Sequence, residues 1–281
     1  MTIEIRTLTP ADLDMADALL MAAYGGASRK QRLQSYLTLQ PDGWILAHWD
    51  GTPAGVAGAT HYGPIAYIGL VGVHPAYQRR GIAMAMMRHL LRWSAERGRP
   101  VLQLDASPAG APLYERLGFV DDEKTVSFMQ DDCARRPPLS ERVSRVQATD
   151  IPAVAAFDMP IFGANRAAVF ELLQSEAPER AFVARDAAGQ ICGYLFAQAM
   201  SLGPWAARTV GDAEALLGAA LELTYQAGPY VLAPSSNPNA SNLLLQYGFS
   251  PNRSLRHMRL GGEGPIGQHA LLYGLASFAI G

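Results

Sequence analysis

The chain has 281 residues, 49% of them hydrophobic and 17% charged, with a formal charge of −2 at neutral pH. That length suits about two domains of roughly 100–200 residues each, with ample material for cores. The near-neutral balance gives no reason to expect nucleic acid or an anionic membrane as a partner, and Cys133 and Cys192 have neither metal-ligand spacing nor the density of a disulfide scaffold.

Along the chain, Met1-Thr2-Ile3-Glu4-Ile5-Arg6 lacks the apolar core of a signal peptide. No apolar run, Leu271 to Ile280 included, reaches the length of a membrane span, so a cytoplasmic protein is expected. Trp44-Ile45-Leu46-Ala47 and the run at Gly55 read as two strands joined at Asp50-Gly51. His61 and Tyr62 lie on the strand that precedes the apolar run Ile68-Gly69-Leu70-Val71-Gly72-Val73. That run feeds Gln78-Arg79-Arg80-Gly81-Ile82-Ala83, which opens a helical pattern from Met84 to Arg97.

A strand running through a basic, glycine-bearing turn into a helix is a place to hold phosphate. The first amides of a helix have no internal partner, and the helix dipole favours an anion there. Gly81 allows close approach of the backbone, Ala83 keeps the path clear, and Arg79 and Arg80 add charge. By itself the pattern also fits a solvated turn. Next come a short buried strand, Pro100 to Asp105, a turn Ala106-Ser107-Pro108-Ala109-Gly110, and Ala111-Pro112-Leu113-Tyr114-Glu115-Arg116-Leu117-Gly118-Phe119.

With both motifs in this order, residues 1 to about 130 resemble the GNAT family of acetyl-CoA-dependent acyltransferases. The resemblance implies that Val-His-Pro-Ala-Tyr-Gln-Arg-Arg-Gly-Ile-Ala wraps the pyrophosphate of coenzyme A, through Gln78, Arg79, Arg80, Gly81, Ile82 and Ala83. It implies that backbone groups of Val71, Gly72 and Val73 meet the pantetheine arm and the oxygen of the tetrahedral intermediate. Ser107 stands, with Gly110, where the family often has Asn and Ala, and is counted with the cofactor contacts. Tyr114 is implied near the thioester sulphur, where a phenol of ordinary pKa near 10 can donate a proton to the departing thiolate. The alternative for Tyr114 is packing against the sheet.

The general base is less clearly marked. Many GNAT enzymes carry a glutamate before the phosphate turn, but residues 65 to 73 contain no acid. Asp105, at the carboxyl end of its strand, is either that base or a cap for the turn that follows. His61 is a candidate for the acceptor site, because histidine as a residue type changes charge near neutral pH, though a lone strand histidine also fits a structural role. Proton transfer to water is a third route. His74 is positional.

A polar linker, Cys133-Ala134-Arg135-Arg136-Pro137-Pro138-Leu139-Ser140, follows, and then the pattern repeats. Arg6 with Asp12-Leu13 returns as Arg145 with Asp150-Ile151. The strand pair returns at Ala181 to Ala184 and Gly193, turned at Ala188-Gly189, and Leu117-Gly118-Phe119 returns as Tyr247-Gly248-Phe249. The offset falls from 139 residues (Arg6 to Arg145) to 130 (Phe119 to Phe249), so the second copy has lost material. The loss removes the phosphate turn, because Gly203-Pro204-Trp205 runs into Thr209-Val210-Gly211-Asp212-Ala213, and Leu244 stands where Tyr114 would be. Asn237 and Ala240 are kept. Phe162-Gly163-Ala164-Asn165-Arg166 and Leu202-Gly203-Pro204 resemble a bacterial two-domain GNAT subfamily whose C-terminal part is a GNAT-like domain of its own. Asn165 reads as the N-cap of a helix from Arg166 to Gln174. Arg166, a cation in a first helical turn, should therefore meet a carboxylate, structural or belonging to the acceptor. Trp205 fits either an acceptor wall or a buried strand end.

The expected fold class is α/β (α+β), tandem GNAT-like folds, each a mixed, mostly antiparallel sheet flanked by helices. The expected division is a catalytic domain 1–132, a linker 133–142 and a degenerate domain 143–281, free to close the acceptor site or form a homodimer. The resemblance implies an N-acetyltransferase using acetyl-CoA, transferring directly to a small-molecule amine, without metal, nucleic acid or membrane. The rival is a non-catalytic acyl-CoA sensor.

Overall fold

Residues 1–98, 100–131, 135–225 and 227–281 are described by a computed structural model; Cys133, and with it the start of the expected linker, lies outside them. The first copy comprises β1 (Ile3–Thr7), α1 (Leu13–Tyr24), α2 (Lys30–Leu39), β2 (Trp44–Trp49), β3 (Thr52–His61) and β4 (Ile65–Val73). It continues with α3 (Ile82–Ala95), β5 (Val101–Ala106), α4 (Ala111–Arg116) and β6 (Val120–Gln130). The second copy repeats the series as β7 (Val143–Arg145), α5 (Ile151–Phe162), α6 (Ala167–Glu176), β8 (Ala181–Arg185), β9 (Ile191–Ala197) and β10 (Ser201–Ala207). Then come α7 (Val210–Leu221), β11 (Tyr230–Pro234), α8 (Pro238–Gln246) and β12 (Phe249–Leu260), and one added strand, β13 (Leu272–Gly274).

The two copies share their local devices. α1 and α5 are each 12 residues long, and α2 and α6 each 10. Ahead of α1, Asp12 accepts the Thr9 amide at 2.9 Å; ahead of α5, Asp150 accepts the Gln147 amide at 3.0 Å. Each carboxylate so placed occupies a backbone donor at the helix entry. The arginine partners have diverged. Arg6 grips Asp12 at 2.7 and 2.6 Å, whereas Asp150 takes Arg185 at 2.6 Å and Arg145 turns to the Glu179 carbonyl. At the β2–β3 turn Asp50 and Gly51 both have positive φ, 46° and 78°, the backbone of a two-residue hairpin that matches strand twist.

The chain divides into two compact units, Met1–Leu104 with Ile280 and Asp105–Ala279 with Gly281. In the first, β1, β2, β3 and β4 are neighbours in antiparallel order and β4 continues to β5 in parallel. α3 approaches the face of Gly55 through Met86, and α1 approaches Gly72 through Leu20, Ala23 and Tyr24. Gly55 pairs with Val73, the neighbour of Gly72, so strand alternation puts the two helices on opposite faces.

In the second unit the strand order is β12-β6-β11-β10-β9-β8-β7, with β13 on β10, antiparallel except for β10–β11. Its two cores lie on the two faces: Leu195 and Ala197 of β9 pack with Trp205 and Leu216, while Tyr194 and Phe196 pack with Val154 and Phe170. β6, last strand of the first copy, pairs with β11 on one edge (Phe128 opposite Val231) and β12 on the other (Val126 opposite Ser254). That insertion is why the compact units part at Leu104 and Asp105, while the sequence repeat parts at the linker. Among the described residues no helix is long and apolar enough to cross a membrane.

Candidate active site

The first unit opens its sheet next to the basic turn. β4 is paired with β5 only at Ile65–Val101, Ala66–Leu102 and Tyr67–Gln103. Among the described residues no other strand takes over that edge from Ile68 to Val73. Toward β3 the ladder carries one extra residue: Gly58 faces Gly69, but Val56 faces Gly72, and Leu70 within this bulge has φ 53°. His74 donates its amide to Ala54 O at 2.9 Å across the hairpin. By antiparallel alternation Gly72 then turns its backbone groups to β3, and Val73 turns its own to the open edge. Gln78, expected as a cofactor contact, spends its side-chain amide on the Val73 carbonyl at 3.2 Å.

The turn itself is a run of unused donors. The first helical bond of α3 is Ala85 N to Gly81 O at 2.9 Å. Among the described residues, the backbone N–H groups of Arg79, Arg80, Gly81, Ile82, Ala83 and Met84 meet no acceptor. Arg79 (φ 60°) and Gly81 (φ 81°) hold left-handed conformations that bend the chain into this shape, and a Cβ on Gly81 would meet nothing within 4 Å. No acidic side chain stands in the first turn to neutralise the dipole. Arg80 does not project as a free charge, since its guanidinium lies over the rings of Trp49 and Tyr77 at 5.3 and 5.5 Å. His74 Nδ1 accepts the Ala76 amide at 3.2 Å, the positional role expected for it.

In the second unit, Tyr114 is 7% exposed, its ring set edge-on to Phe119 at 5.9 Å. Burial pushes its pKa up to about 12. Its hydroxyl has no hydrogen-bond partner among the described residues. Gly110 supports the ring: a Cβ there would stand 3.1 Å from Tyr114 Cε2. Ser107, expected among the cofactor contacts, accepts the Gly110 amide at 3.2 Å and so fills the turn-capping role considered for Asp105.

Asp105 is corrected in both readings. Its side chain is wholly enclosed, accepts from Thr125 Oγ1 at 2.6 Å, and lies 3.4 Å from Nδ1 of His257. A carboxylate enclosed in this way joins strands and is not presented to an incoming amine. His61 is also held by its own chain: Nδ1 accepts the Gly63 amide at 3.2 Å and Nε2 is 3.1 Å from Arg97 O. It pairs with Ala66 at the far end of β4, about 23 Å along the strand from Val73 at roughly 3.3 Å per residue. Arg166 meets a structural carboxylate, not an acceptor. It is 1% exposed, binds Asp158 at 2.9 and 2.8 Å, and stacks 3.8 Å over Phe162. Its helix begins at Ala167, whose amide is capped by Asn165 Oδ1 at 2.9 Å. Trp205 is buried within β10, its ring tilted 32° to that of Tyr273 at 5.1 Å.

Three features escaped the sequence reading. The Leu70 bulge had a signal in the flanking Gly69 and Gly72. The donor run reaches one residue past the expected turn, to Met84. The Asp105–His257 contact joins residues 152 apart and has no local signature.

Comparison with known proteins identifies the family. A model of the acetyltransferase (GNAT) family matches residues 13–119, and one of an acetyltransferase (GNAT) domain matches 154–274. The N-acetyltransferase YitH of Bacillus subtilis, itself uncharacterised, is 27% identical over 228 residues, 78% of each chain. A mycothiol acetyltransferase of Nocardiopsis dassonvillei is 33% identical over 106 residues, 36% of this chain and 32% of that protein. A crystal structure from Pyrococcus horikoshii, described as a candidate acetyltransferase, superposes with a TM-score of 0.84 and 29% identity over 99% of this chain and 96% of that one. A GCN5-related N-acetyltransferase from Sphaerobacter thermophilus shares the fold at a TM-score of 0.69 and 17% identity, over 94% and 98% of the two chains. The two matched domains and their N-acetyltransferase relatives make this an acyltransferase. The chain belongs to the GNAT superfamily and carries two GNAT domains in tandem.

Proposed function

We propose that this chain transfers the acetyl group of acetyl-CoA directly to the amine of a small-molecule acceptor, in the cytoplasm and without a covalent enzyme intermediate. The observation that carries this reading is the run of six backbone donors from Arg79 to Met84 without an acceptor, at the start of a 14-residue helix. A diphosphate is the chemical partner such a run fits. Coenzyme A supplies that diphosphate, an amide-bearing arm that can add to the open β4 edge as a strand would, and an activated thioester. The Val73 amide faces that edge. Tyr114, protonated at neutral pH and with an uncommitted hydroxyl, has the protonation state required of a donor to a departing thiolate. With Asp105 enclosed, the proton of the amine is assigned to water. Among the described residues Cys192 is the one thiol; it is buried, with its pKa pushed up to about 11 by burial and by Asp212, which supports transfer without an acyl-cysteine.

The test is calorimetry of the full chain with acetyl-CoA, followed by an amine panel read by thiol release. Gly81→Val places a branched side chain at positive φ, which costs about 1–2 kcal/mol and shifts the backbone that aims the donors. Its affinity should fall at least about tenfold, and Arg80→Ala should weaken binding less. A wild-type chain that does not bind acetyl-CoA would remove the proposal.

A further inference from the structure

The second copy parts its sheet where the first does, but its gap is filled. β10 and β11 run parallel through Ser201–Tyr230 and Leu202–Val231 and then separate, just as β4 and β5 separate after Tyr67–Gln103. Into this gap comes β13. It pairs antiparallel with β10 at Trp205–Gly274 and Ala206–Leu272, and Leu275 donates its amide to Leu232 O of β11 at 2.9 Å. One short segment thus bonds to both lips.

The surroundings are fitted to that segment. Asn237, which is 0% exposed, donates from Nδ2 to the Leu272 carbonyl at 3.0 Å while its Oδ1 accepts the Ala240 amide at 3.2 Å. A Cβ on Gly203 would stand 2.1 Å from Leu275 O, and one on Gly274 would stand 2.8 Å from Leu202 O. Each glycine is therefore required for the close approach. Leu272, Tyr273 and Leu275 are buried, and Tyr273 lies against Trp205 at 5.1 Å.

The anion end is closed as well. At the start of α7, Thr209 Oγ1 accepts the Asp212 amide at 3.2 Å, and the Asp212 carboxylate sits in the first turn with Arg142 at 2.9 Å. Where α3 offers bare amides, α7 offers a capped end and a negative charge.

We propose that Leu272–Leu275 is a built-in occupant of the second copy's thioester slot: a peptide strand presenting the N–H and C=O pattern that the pantetheine arm of an acyl-CoA would present. The assignment rests on the reading of the first copy's open edge as a pantetheine site, and it limits the chain to one acyl-CoA.

Hydrogen exchange on the full chain, with and without saturating acetyl-CoA, tests it together with the calorimetric stoichiometry. In the free protein, the amides of 272–275 should exchange as slowly as those of β10; rapid exchange there would overturn the proposal whether or not acetyl-CoA binds. With acetyl-CoA, residues 79–84 should gain protection, 272–275 should lose none, and one equivalent should bind. A second equivalent, or deprotection of 272–275, would also overturn it. If no acetyl-CoA binds, the function proposed above fails and the free-protein measurement alone decides the occupant. Asn237→Ala should speed exchange at 272–275 by about tenfold while leaving the acetyl-CoA affinity of the chain within twofold. Gly274→Val, the harsher variant, should raise exchange throughout 201–207.

Discussion

Tyr114 and Arg166 are both buried and both polar, yet their surroundings give them opposite roles. Tyr114 has no hydrogen-bond partner for its hydroxyl among the described residues, and its pKa stands at about 12, so it carries a proton without spending it on the fold. Tyr114→Phe should lower kcat by about a hundredfold, in the range of a general acid, with acetyl-CoA affinity nearly unchanged, as read by thiol release and calorimetry. Equal kcat in the variant would take the phenol out of the reaction. Arg166 is spent entirely on structure: it pairs with Asp158 at two points, both side chains 0% exposed, and its Nη2 lies 3.3 Å from the Tyr194 hydroxyl. Arg166→Ala leaves the buried Asp158 carboxyl without its arginine and should cost about 3–5 kcal/mol in urea unfolding, without changing KM in the folded fraction. The sequence signalled that Arg166 needs a carboxylate, because a cation in a first helical turn is unfavourable. It did not signal which one, since that partner is set by the packing of α5 against α6. The turn into α3 was legible for the opposite reason: its donors are consecutive backbone groups.

At the scale of elements, the pairing of β6 with β12 carries a charge cluster that ties stability to pH. His257 on β12 is buried, which pulls its pKa down, but Asp105, Glu123 and Asp122 outweigh burial and the net direction is up. His269 stands beside it, its ring centroid 5.8 Å away and its Nδ1 2.6 Å from Glu123. A folded-state pKa above the unfolded value stabilises fully below about 6.5, and that contribution is lost as pH rises through the raised value. Relative to His257→Gln, the wild-type stability advantage should therefore be largest near pH 6 and shrink toward pH 8, measured as urea midpoints across that range. An advantage that is flat or grows with pH would contradict the arrangement. Elements with local signatures were read well: the hairpin at Asp50-Gly51, the paired copies of α1 and α5, and the turn into α3. Their ends were not, because caps decide them. α3 begins at Ile82, set by Gly81 in its left-handed conformation, two residues before the apolar periodicity suggested.

For the molecule as a whole, the duplication was visible in the repeated Arg-Asp and Gly-Phe signatures, and the shorter connection ahead of α7 was visible as a shrinking offset. Strand partnership was not. β6 pairs with residues more than a hundred positions away, and nothing in its own composition states whether β5, β11 or β12 will be its neighbour. A chain ending after residue 131 should be insoluble, because both edges of β6 would lack partners. A piece beginning at residue 141 should unfold at much lower urea than the full chain, with a strand missing between β11 and β12. Co-expressing the two pieces should restore a soluble complex that co-purifies, whereas independent folding of either piece would refute the strand assignment. Descent by duplication usually leaves a spare that can be discarded once idle. Here the second copy pairs both edges of β6, the final strand of the first, so deleting it would strip that strand of its partners, and the tandem is inherited as a single indivisible unit.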